Sequence, residues 1–178
     1  LGSLKLAESS YRTALRIEPL FSESRYYLAV VLNEQGEVEE AEKLLRETIA
    51  EVPEFVDAHY ALGLLIAAQP SRLEEAASVL AQAAQLAPEN ADIRYNLGLA
   101  WQQLGRPDTA LRELEAACRI RPTVPRYQRA VVILLMQQEQ WAQALAASER
   151  LIVLQNPNPQ QQAEDQRRHR FLMQQTAP

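Results

Sequence analysis

Residues 91–124, ADIRYNLGLAWQQLGRPDTALRELEAACRIRPTV, carry the spacing that decides the fold. Apolar and small residues recur at intervals that suit two successive helices, with glycine between them and proline at the end. Counted from Ala91 as position 1, the pattern is Leu-Gly at positions 7 and 8, glycine at 15, alanine at 20 and 27, leucine at 24 and proline at 32. Small residues let two helix backbones approach closely, and proline cannot continue a helix. The stretch is therefore predicted to form two packed helices joined by a tight turn.

The same spacing recurs along almost the whole chain. All five glycines fall at position 8 or position 15. The closing prolines and the small residues at position 20 both step by 34 or 35 residues, and they are Pro19, Pro53, Pro88, Pro122 and Pro157, and Ala7, Ala41, Ala76, Ala110 and Ala144. A fixed period of this length indicates a repeat architecture in which each helix pair packs on the next.

This pattern resembles the tetratricopeptide repeat (TPR) family, whose members mostly bind other proteins. The resemblance implies an all-α fold, a right-handed α-α superhelix (solenoid) of antiparallel helix pairs. It divides the chain into the second half of a truncated repeat (1–21), three repeats (22–55, 56–90 and 91–124), a degenerate repeat (125–158), and a polar C-terminal capping helix and tail (159–178). Repeat 56–90 has one extra residue in its turn. The degenerate repeat has Val132 and Glu139 in place of the glycines and Ser148 where a large residue is usual.

The two ends of the chain carry further predictions. Leu1 and Gly2 stand in register with Leu104 and Gly105, which favours native sequence over a cloning scar, so we expect the chain to be a part of something longer. At the C-terminus, QQQAEDQRRHRFLMQQ is predicted to cap the helix stack, since a repeat array needs a polar end. The alternative is a basic interaction tail built on three arginines, Arg167, Arg168 and Arg170.

Composition narrows the function classes. The formal charge of −5 is spread along the chain, which argues against a nucleic-acid binder and slightly favours basic partners. The longest apolar run, residues 130–136, is too short to span a membrane, and no segment of the sequence has the charged start and apolar core of a signal peptide, so an export signal of a longer parent would lie outside this chain. A single cysteine, Cys118, cannot form an internal disulfide and is expected to be a small buried residue, so compartment and localisation stay open.

Enzymatic chemistry is not expected. The two histidines, His59 and His169, are far apart in the repeat array, and the nearest acid to His59 lies on another helix face. The sequence has no zinc-ligand spacing, no glycine-rich phosphate loop and no haem-attachment motif. We therefore predict no catalytic residue, no cofactor and no metal.

In the TPR family the first helix of each pair lines a concave groove, and positions 2, 5, 6, 9, 12 and 13 face into it. Tyrosine recurs at position 5, an apolar strip runs along position 9, and position 2 changes from acidic to basic. Tyrosine suits a peptide-binding wall, but it is also common at position 5 for packing, so both roles stay open. The candidate partner-binding residues are Tyr26, Tyr27, Tyr60, Leu64, Tyr95, Asn96, Arg126 and Arg129.

The TPR family also includes chaperone adaptors that hold a terminal carboxylate in a clamp of Lys and Asn side chains. This chain matches two of the five clamp positions, at Asn96 and Arg126. Arg126 and Arg129 lie one turn apart on one helix face, so they could still hold an acidic group. The alternative is that both are solvated surface charges.

The leading prediction is a protein-interaction scaffold whose groove binds a peptide or a helix of another protein. A second hypothesis is a structural module that assembles into an oligomer or filament through the open apolar end at residues 1–11. In a third, the chain is the C-terminal TPR tail of a larger envelope protein, because FVDAHYALGL and the following repeat resemble the TPR tails of bacterial multihaem c-type cytochromes.

Overall fold

The structure is a computed structural model that describes residues 2–154 and 158–176. Leu1, residues 155–157 with the predicted helix-breaking Pro157, and residues 177–178 lie outside the described part. The described residues are helical and contain no strand, which confirms the expected all-α class. The helices are α1 (Gly2–Ile17), α2 (Ser22–Gln35), α3 (Val38–Glu51), α4 (Val56–Ala67), α5 (Leu73–Leu86), α6 (Ala91–Gln103), α7 (Pro107–Ile120), α8 (Pro125–Gln137), α9 (Trp141–Val153) and α10 (Pro159–Gln175), with a 3-10 turn at Pro70–Arg72.

The helices form two compact units, unit 1 (Leu1–Ala87) and unit 2 (Pro88–Pro178). In unit 1, α2 pairs with α3 and α4 pairs with α5, while α1 packs on α2. In unit 2, α6 pairs with α7 and α8 pairs with α9, while α10 packs on α9. Each unit therefore repeats one motif, a first helix and a second helix that share an apolar core.

In three of the four helix pairs described, a residue with a left-handed backbone makes the turn between the two helices. Gly36 (φ 86°) ends α2 and Gly105 (φ 68°) lies between α6 and α7. At the same place between α8 and α9 stands Glu139, with φ 57°, the one described non-glycine residue with positive φ. The turn geometry is thus kept in the degenerate repeat although the glycine is lost, and a side chain there is strained.

The helices of a pair approach closely because position 8 of the first faces position 24 of the second. A Cβ atom added to Gly63 would lie 2.6 Å from Leu80 Cγ, and one added to Gly98 would lie 2.8 Å from Leu114 Cγ. In the degenerate repeat the sizes are exchanged, because Val132 stands at position 8 and Ser148 at position 24, both buried. The two departures from the repeat pattern thus compensate each other in volume.

Position 4 of the first helix is hydrogen-bonded in three repeats to the proline that precedes the helix. Its side chain donates a hydrogen bond to the carbonyl of the preceding closing proline. The pairs are Arg25 Nη2 to Pro19 (2.6 Å), His59 Nε2 to Pro53 (2.8 Å) and Arg94 Nε to Pro88 (2.8 Å). Because a carbonyl can only accept, Nε2 of His59 carries the proton, and this buried histidine has a structural role.

A network of four charged residues holds the longer turn between α4 and α5 in unit 1. Arg72, in the 3-10 turn, donates to Glu42 on α3 through Nη1 and Nη2, both at 2.7 Å, and to Glu75 on α5 at 2.8 Å. Arg46 also pairs with both carboxylates. Hydrogen bonds from Arg72, followed by those from Arg46, lower the pKa of Glu42 to about 2. The extra residue of this turn is therefore accommodated by an ion-pair network.

The two end helices differ in character. No described residue of α1 is buried, and Leu6 and Ile17 are 70% and 72% exposed. In contrast, α10 buries Leu172 in the core of unit 2 and presents a mainly polar outer face.

Among the described helices, none combines the length and the apolar character needed to cross a membrane.

Candidate partner-binding grooves

A groove of about 400 Å³ lies between the first helices α2 and α4 of unit 1. Val30 and Leu64, both at position 9, line it together with Ala61, and Leu64 is 40% exposed. The opposite faces of these helices, with Leu28 and Leu62, are buried in the helix pairs. The first helices are therefore apolar on two faces, and the face at position 9 is open to a partner. We call this the unit 1 groove.

An aromatic group lies near the N-terminal ends of the same helices. Tyr26 is half-buried and packs against Phe55 at 5.3 Å between ring centroids, and burial followed by the charge of Asp57 raises its pKa. Tyr27 is 49% exposed and stacks on Tyr11 at 5.7 Å. Tyr26 is thus largely a packing residue, whereas Tyr27 presents an aromatic surface. Tyr60, also at position 5, is half-buried.

The first helices of unit 1 carry three exposed acidic side chains, one of which lines the unit 1 groove. Glu34 lines it directly, and Glu23 and Asp57 are exposed at position 2 of α2 and α4. The salt bridges among the described residues do not include any of these three carboxylates, whereas Arg25 on the same helices is engaged by Glu51. The first helices of unit 1 thus present uncompensated negative charge beside apolar surface.

In unit 2 the corresponding surface is built around Asp92. Its carboxylate accepts hydrogen bonds from the Tyr127 hydroxyl at 2.8 Å, from Arg126, and from Arg121 at 3.4 Å. The Arg126 guanidinium lies over the rings of Tyr95 and Tyr127, at 5.6 and 5.1 Å. The salt bridge to Asp92 and the cation–π contacts with the two tyrosines together fix the position of the Arg126 guanidinium.

The second predicted arginine is fixed by the last helix. Arg129 donates to Asp165 on α10 through Nε and Nη2, and Arg168 donates to the same carboxylate at 3.1 Å. Arg126 and Arg129 both line a small pocket of about 210 Å³ together with Gln161. The structure therefore brings the two arginines together, with each already paired to a carboxylate of its own unit.

Asn96 lies on the same first helix as Tyr95 and is half-buried. Its Nδ2 donates to the Asp92 carbonyl one turn earlier at 2.9 Å. Its amide is therefore used at least in part within α6.

Sequence reasoning missed Tyr127 and Asp165, which orient the two arginines. For Tyr127 a signal was available, because position 3 otherwise holds the smaller residues Ser24, Ala58 and Ile93, and a buried tyrosine needs a partner for its hydroxyl.

A family model described as tetratricopeptide repeat matches residues 1–65 and 67–134 of the chain. Solved structures of TPR proteins are also similar to it, so the expected resemblance is confirmed. No curated protein matches the chain.

Three of the similar structures cover between 86% and 98% of this chain. MamA from Desulfovibrio magneticus RS-1 is 20% identical, with a TM-score of 0.78 over 86% of each chain. PilF from Pseudomonas aeruginosa is 24% identical, with a TM-score of 0.78 over 98% of this chain and 83% of that one. YrrB, described as a TPR protein with an unusual peptide-binding site, is 17% identical, with a TM-score of 0.78 over 93% of this chain and 82% of that one. At these identities the likeness shows the fold.

Proposed function

Since this chain belongs to the tetratricopeptide repeat family, we propose that it is a protein-interaction module whose unit 1 groove binds a peptide segment of a partner protein. The observation that carries the proposal is the apolar floor of that groove, formed by the half-buried Val30 and the exposed Leu64. Burying such surface against an apolar side chain is favourable by roughly 25 cal/mol per Å². TPR proteins are generally scaffolds without catalytic activity, and the proposal assigns none to this chain.

The charges around the groove define the partner further. An apolar side chain on Leu64 would bring its neighbours along the peptide close to Glu34, whose carboxylate lines the same groove. A lysine or arginine next to the apolar anchor would therefore gain a salt bridge at the edge of the groove. The partner segment is accordingly an apolar residue flanked by basic residues.

The first helices of unit 2 favour a different group. Arg126 and Arg129 line one pocket, and the hydrogen bonds that hold them leave Nη1 of each guanidinium outside those bonds. An acidic side chain or terminal carboxylate of the partner would bind between them. In this role Asp92 and Asp165 position the arginines, and Tyr95 supplies the aromatic wall.

The experiment is a selection of short random peptides displayed on phage against the full chain. Peptides enriched on the wild type are then tested on Leu64→Glu, which places a charge on the groove floor at a position already 40% exposed. The proposal expects peptides with an apolar residue beside lysine or arginine, and loss of their binding in the variant. Enriched peptides that bind the variant equally well would contradict a role for the groove.

Self-assembly is a second candidate because α1 has no buried residue among those described. Leu6 and Ile17 present apolar surface that is costly in water, and a second copy of the chain could cover it. Light scattering after size exclusion tests this directly, since Leu6→Lys with Ile17→Lys should convert an oligomer to a monomer without affecting the core. A wild type that is monomeric over the accessible concentration range would exclude self-assembly.

The third hypothesis, a tail of a larger envelope protein such as a multihaem cytochrome, rests on the sequence resemblance alone.

A further inference from the structure

In unit 2 two aromatic rings and a carboxylate hold an arginine that belongs to the chain itself. The rings of Tyr95, at position 5 of α6, and Tyr127 pack at 5.2 Å between centroids with an angle of 46° between their planes. Arg126, at position 2 of α8, lies over both rings and pairs with Asp92, at position 2 of α6. The position 2 residues of these two first helices are therefore in direct contact beside a ring pair.

Unit 1 has a ring pair of the same geometry. Tyr26, at position 5 of α2, packs against Phe55 at 5.3 Å with an angle of 48° between the ring planes. Tyr26 is half-buried, as Tyr95 is. Position 3 of α4 holds Ala58, so Phe55, which directly precedes α4, supplies the ring that Tyr127 supplies in unit 2. The aromatic part of the arginine site is thus repeated in unit 1.

The charges beside the two ring pairs differ. The position 2 residues of unit 1 are Glu23 on α2 and Asp57 on α4, both acidic and exposed. Glu23 precedes Tyr26 by three residues and so shares its helix face, and burial followed by the charge of Asp57 raises the pKa of Tyr26. The salt bridges of the described residues include neither carboxylate, and the nearby Arg25 is engaged by Glu51 on α3. A second acid therefore stands in unit 1 where unit 2 has its arginine.

This combination selects a guanidinium as the occupant. The face of an aromatic ring carries partial negative charge, and the two carboxylates add to it, so a cation is favoured. A guanidinium is planar and can stack on a ring while it donates hydrogen bonds to carboxylates, whereas an ammonium is a compact, strongly hydrated charge. The geometry of Arg126 shows that a guanidinium fits against a ring pair of this kind.

We propose that Glu23, Tyr26, Phe55 and Asp57 form a subsite for an arginine side chain of a partner protein. We call these four residues the arginine subsite. The guanidinium lies against the two rings and pairs with the two carboxylates, in the manner of Arg126 in unit 2. That the arginine comes from a partner protein rests on the proposed function, whereas binding of the guanidinium does not, because none of the four residues lines the unit 1 groove.

The test is a titration of the full chain with N-acetylarginine amide, followed by the NMR signals of the tyrosine rings. The Tyr26 signals are assigned with Tyr26→Phe. N-acetylcitrulline amide is the matched probe, because it keeps the shape of the arginine side chain and lacks its charge. We expect saturable shifts of the Tyr26 signals with the arginine amide, with a dissociation constant on the order of millimolar, and none with the citrulline amide.

Two variants test the assignment of residues. Asp57→Arg copies Arg126 and should abolish the shifts of Tyr26, because an arginine of the chain then occupies the subsite. Its melting temperature should not fall below that of the wild type, which excludes unfolding as the cause. Glu23→Gln should weaken binding of the arginine amide about threefold or more. The matched control is Glu34→Gln, an exposed glutamate of the same helix that lies outside the subsite and should bind like the wild type.

The outcomes separate the arginine subsite from the unit 1 groove. Absence of saturable shifts, equal shifts with the citrulline amide, or unchanged binding of the arginine amide in Asp57→Arg would overturn the subsite. Equal losses in Glu23→Gln and Glu34→Gln would also overturn it, since they would indicate a general effect of charge. Leu64→Glu should bind the arginine amide like the wild type, so a failure of the subsite and a failure of the groove give different results.

Discussion

Arg129 on α8 donates two hydrogen bonds to Asp165 on α10, through Nε at 2.8 Å and Nη2 at 2.7 Å, and the Asp165 side chain is 1% exposed. A carboxylate as deeply buried as this one is stable only when it is paired and hydrogen-bonded. The ion pair therefore holds the last helix in place and also fixes Arg129, a residue of the candidate binding surface.

Asp165→Asn should destabilise the docked α10 by about 3 kcal/mol, since it leaves the largely buried Arg129 guanidinium, whose side chain is 14% exposed, without its counter-charge. Thermal unfolding measures the total effect, and hydrogen exchange at the α10 amides localises it. The matched control is Glu164→Gln on the same helix, whose side chain is 57% exposed and pairs with Arg168 at 3.3 Å. That control should cost less than about 1 kcal/mol. Equal effects of the two changes would show that the buried pair is not what holds the helix.

Glu139→Gly should stabilise the chain by about 1 kcal/mol. Glu139 holds a left-handed backbone conformation that costs a side chain roughly that amount and costs glycine nothing. Gly105→Ala, at the same turn of the preceding repeat, should lose a similar amount. Urea unfolding measures the sign of the change in the free energy of unfolding for both variants. A destabilised Glu139→Gly variant would show that Glu139 makes a contact whose contribution exceeds the cost of the backbone strain.

Exchange of side-chain size across a helix pair predicts energetic coupling. Gly98→Val alone should destabilise by about 2 kcal/mol or more, because even a Cβ there would lie 2.8 Å from Leu114 Cγ and 3.2 Å from the Ala110 carbonyl oxygen. Combining it with Leu114→Ser copies the arrangement of Val132 and Ser148. The double variant should therefore lose clearly less than the sum of the single changes, with a coupling of about 1 kcal/mol. Strict additivity would refute the compensation.

The charged network of unit 1 should make stability depend on pH in the acid range. The pKa of Glu42 is lowered from 4.5 to about 2 by hydrogen bonds from Arg72, so the folded chain binds this proton less readily than the unfolded chain. Its contribution is therefore complete above about pH 4.5 and is lost as the pH falls toward 2. Glu42→Gln should lower stability at pH 7 and flatten the dependence between pH 4.5 and 2. An unchanged slope would indicate that other carboxylates cause it.

The helices were predictable because their signals are local. Gly105 and Pro122 mark a turn and an end within one stretch of chain, and the period then repeats them. The compensation between Val132 and Ser148 was not predictable from the sequence, since each residue alone is a departure from the repeat pattern. Only the packing of one helix on the other shows that the two changes belong together.

The candidate site was predictable in outline only. Position 9 predicted Leu64 as an apolar groove residue, and its side chain is 40% exposed in the structure. Position 5 does not distinguish a tyrosine that packs in the core, such as Tyr26, from one whose ring is exposed. The partner of Arg129 lies on the last helix, which does not follow the repeat, so the period cannot point to Asp165.

The most direct measurement compares the affinity of one selected peptide for the wild type, Leu64→Glu and Leu86→Glu. The two leucines are matched, at 40% and 41% exposure in the same unit, but Leu64 lines the unit 1 groove whereas Leu86 ends α5. We expect Leu64→Glu to weaken peptide binding at least about tenfold and Leu86→Glu to change it less than about twofold. Equal affinities for the wild type and Leu64→Glu, or an equal loss in both variants, would contradict peptide binding in the unit 1 groove.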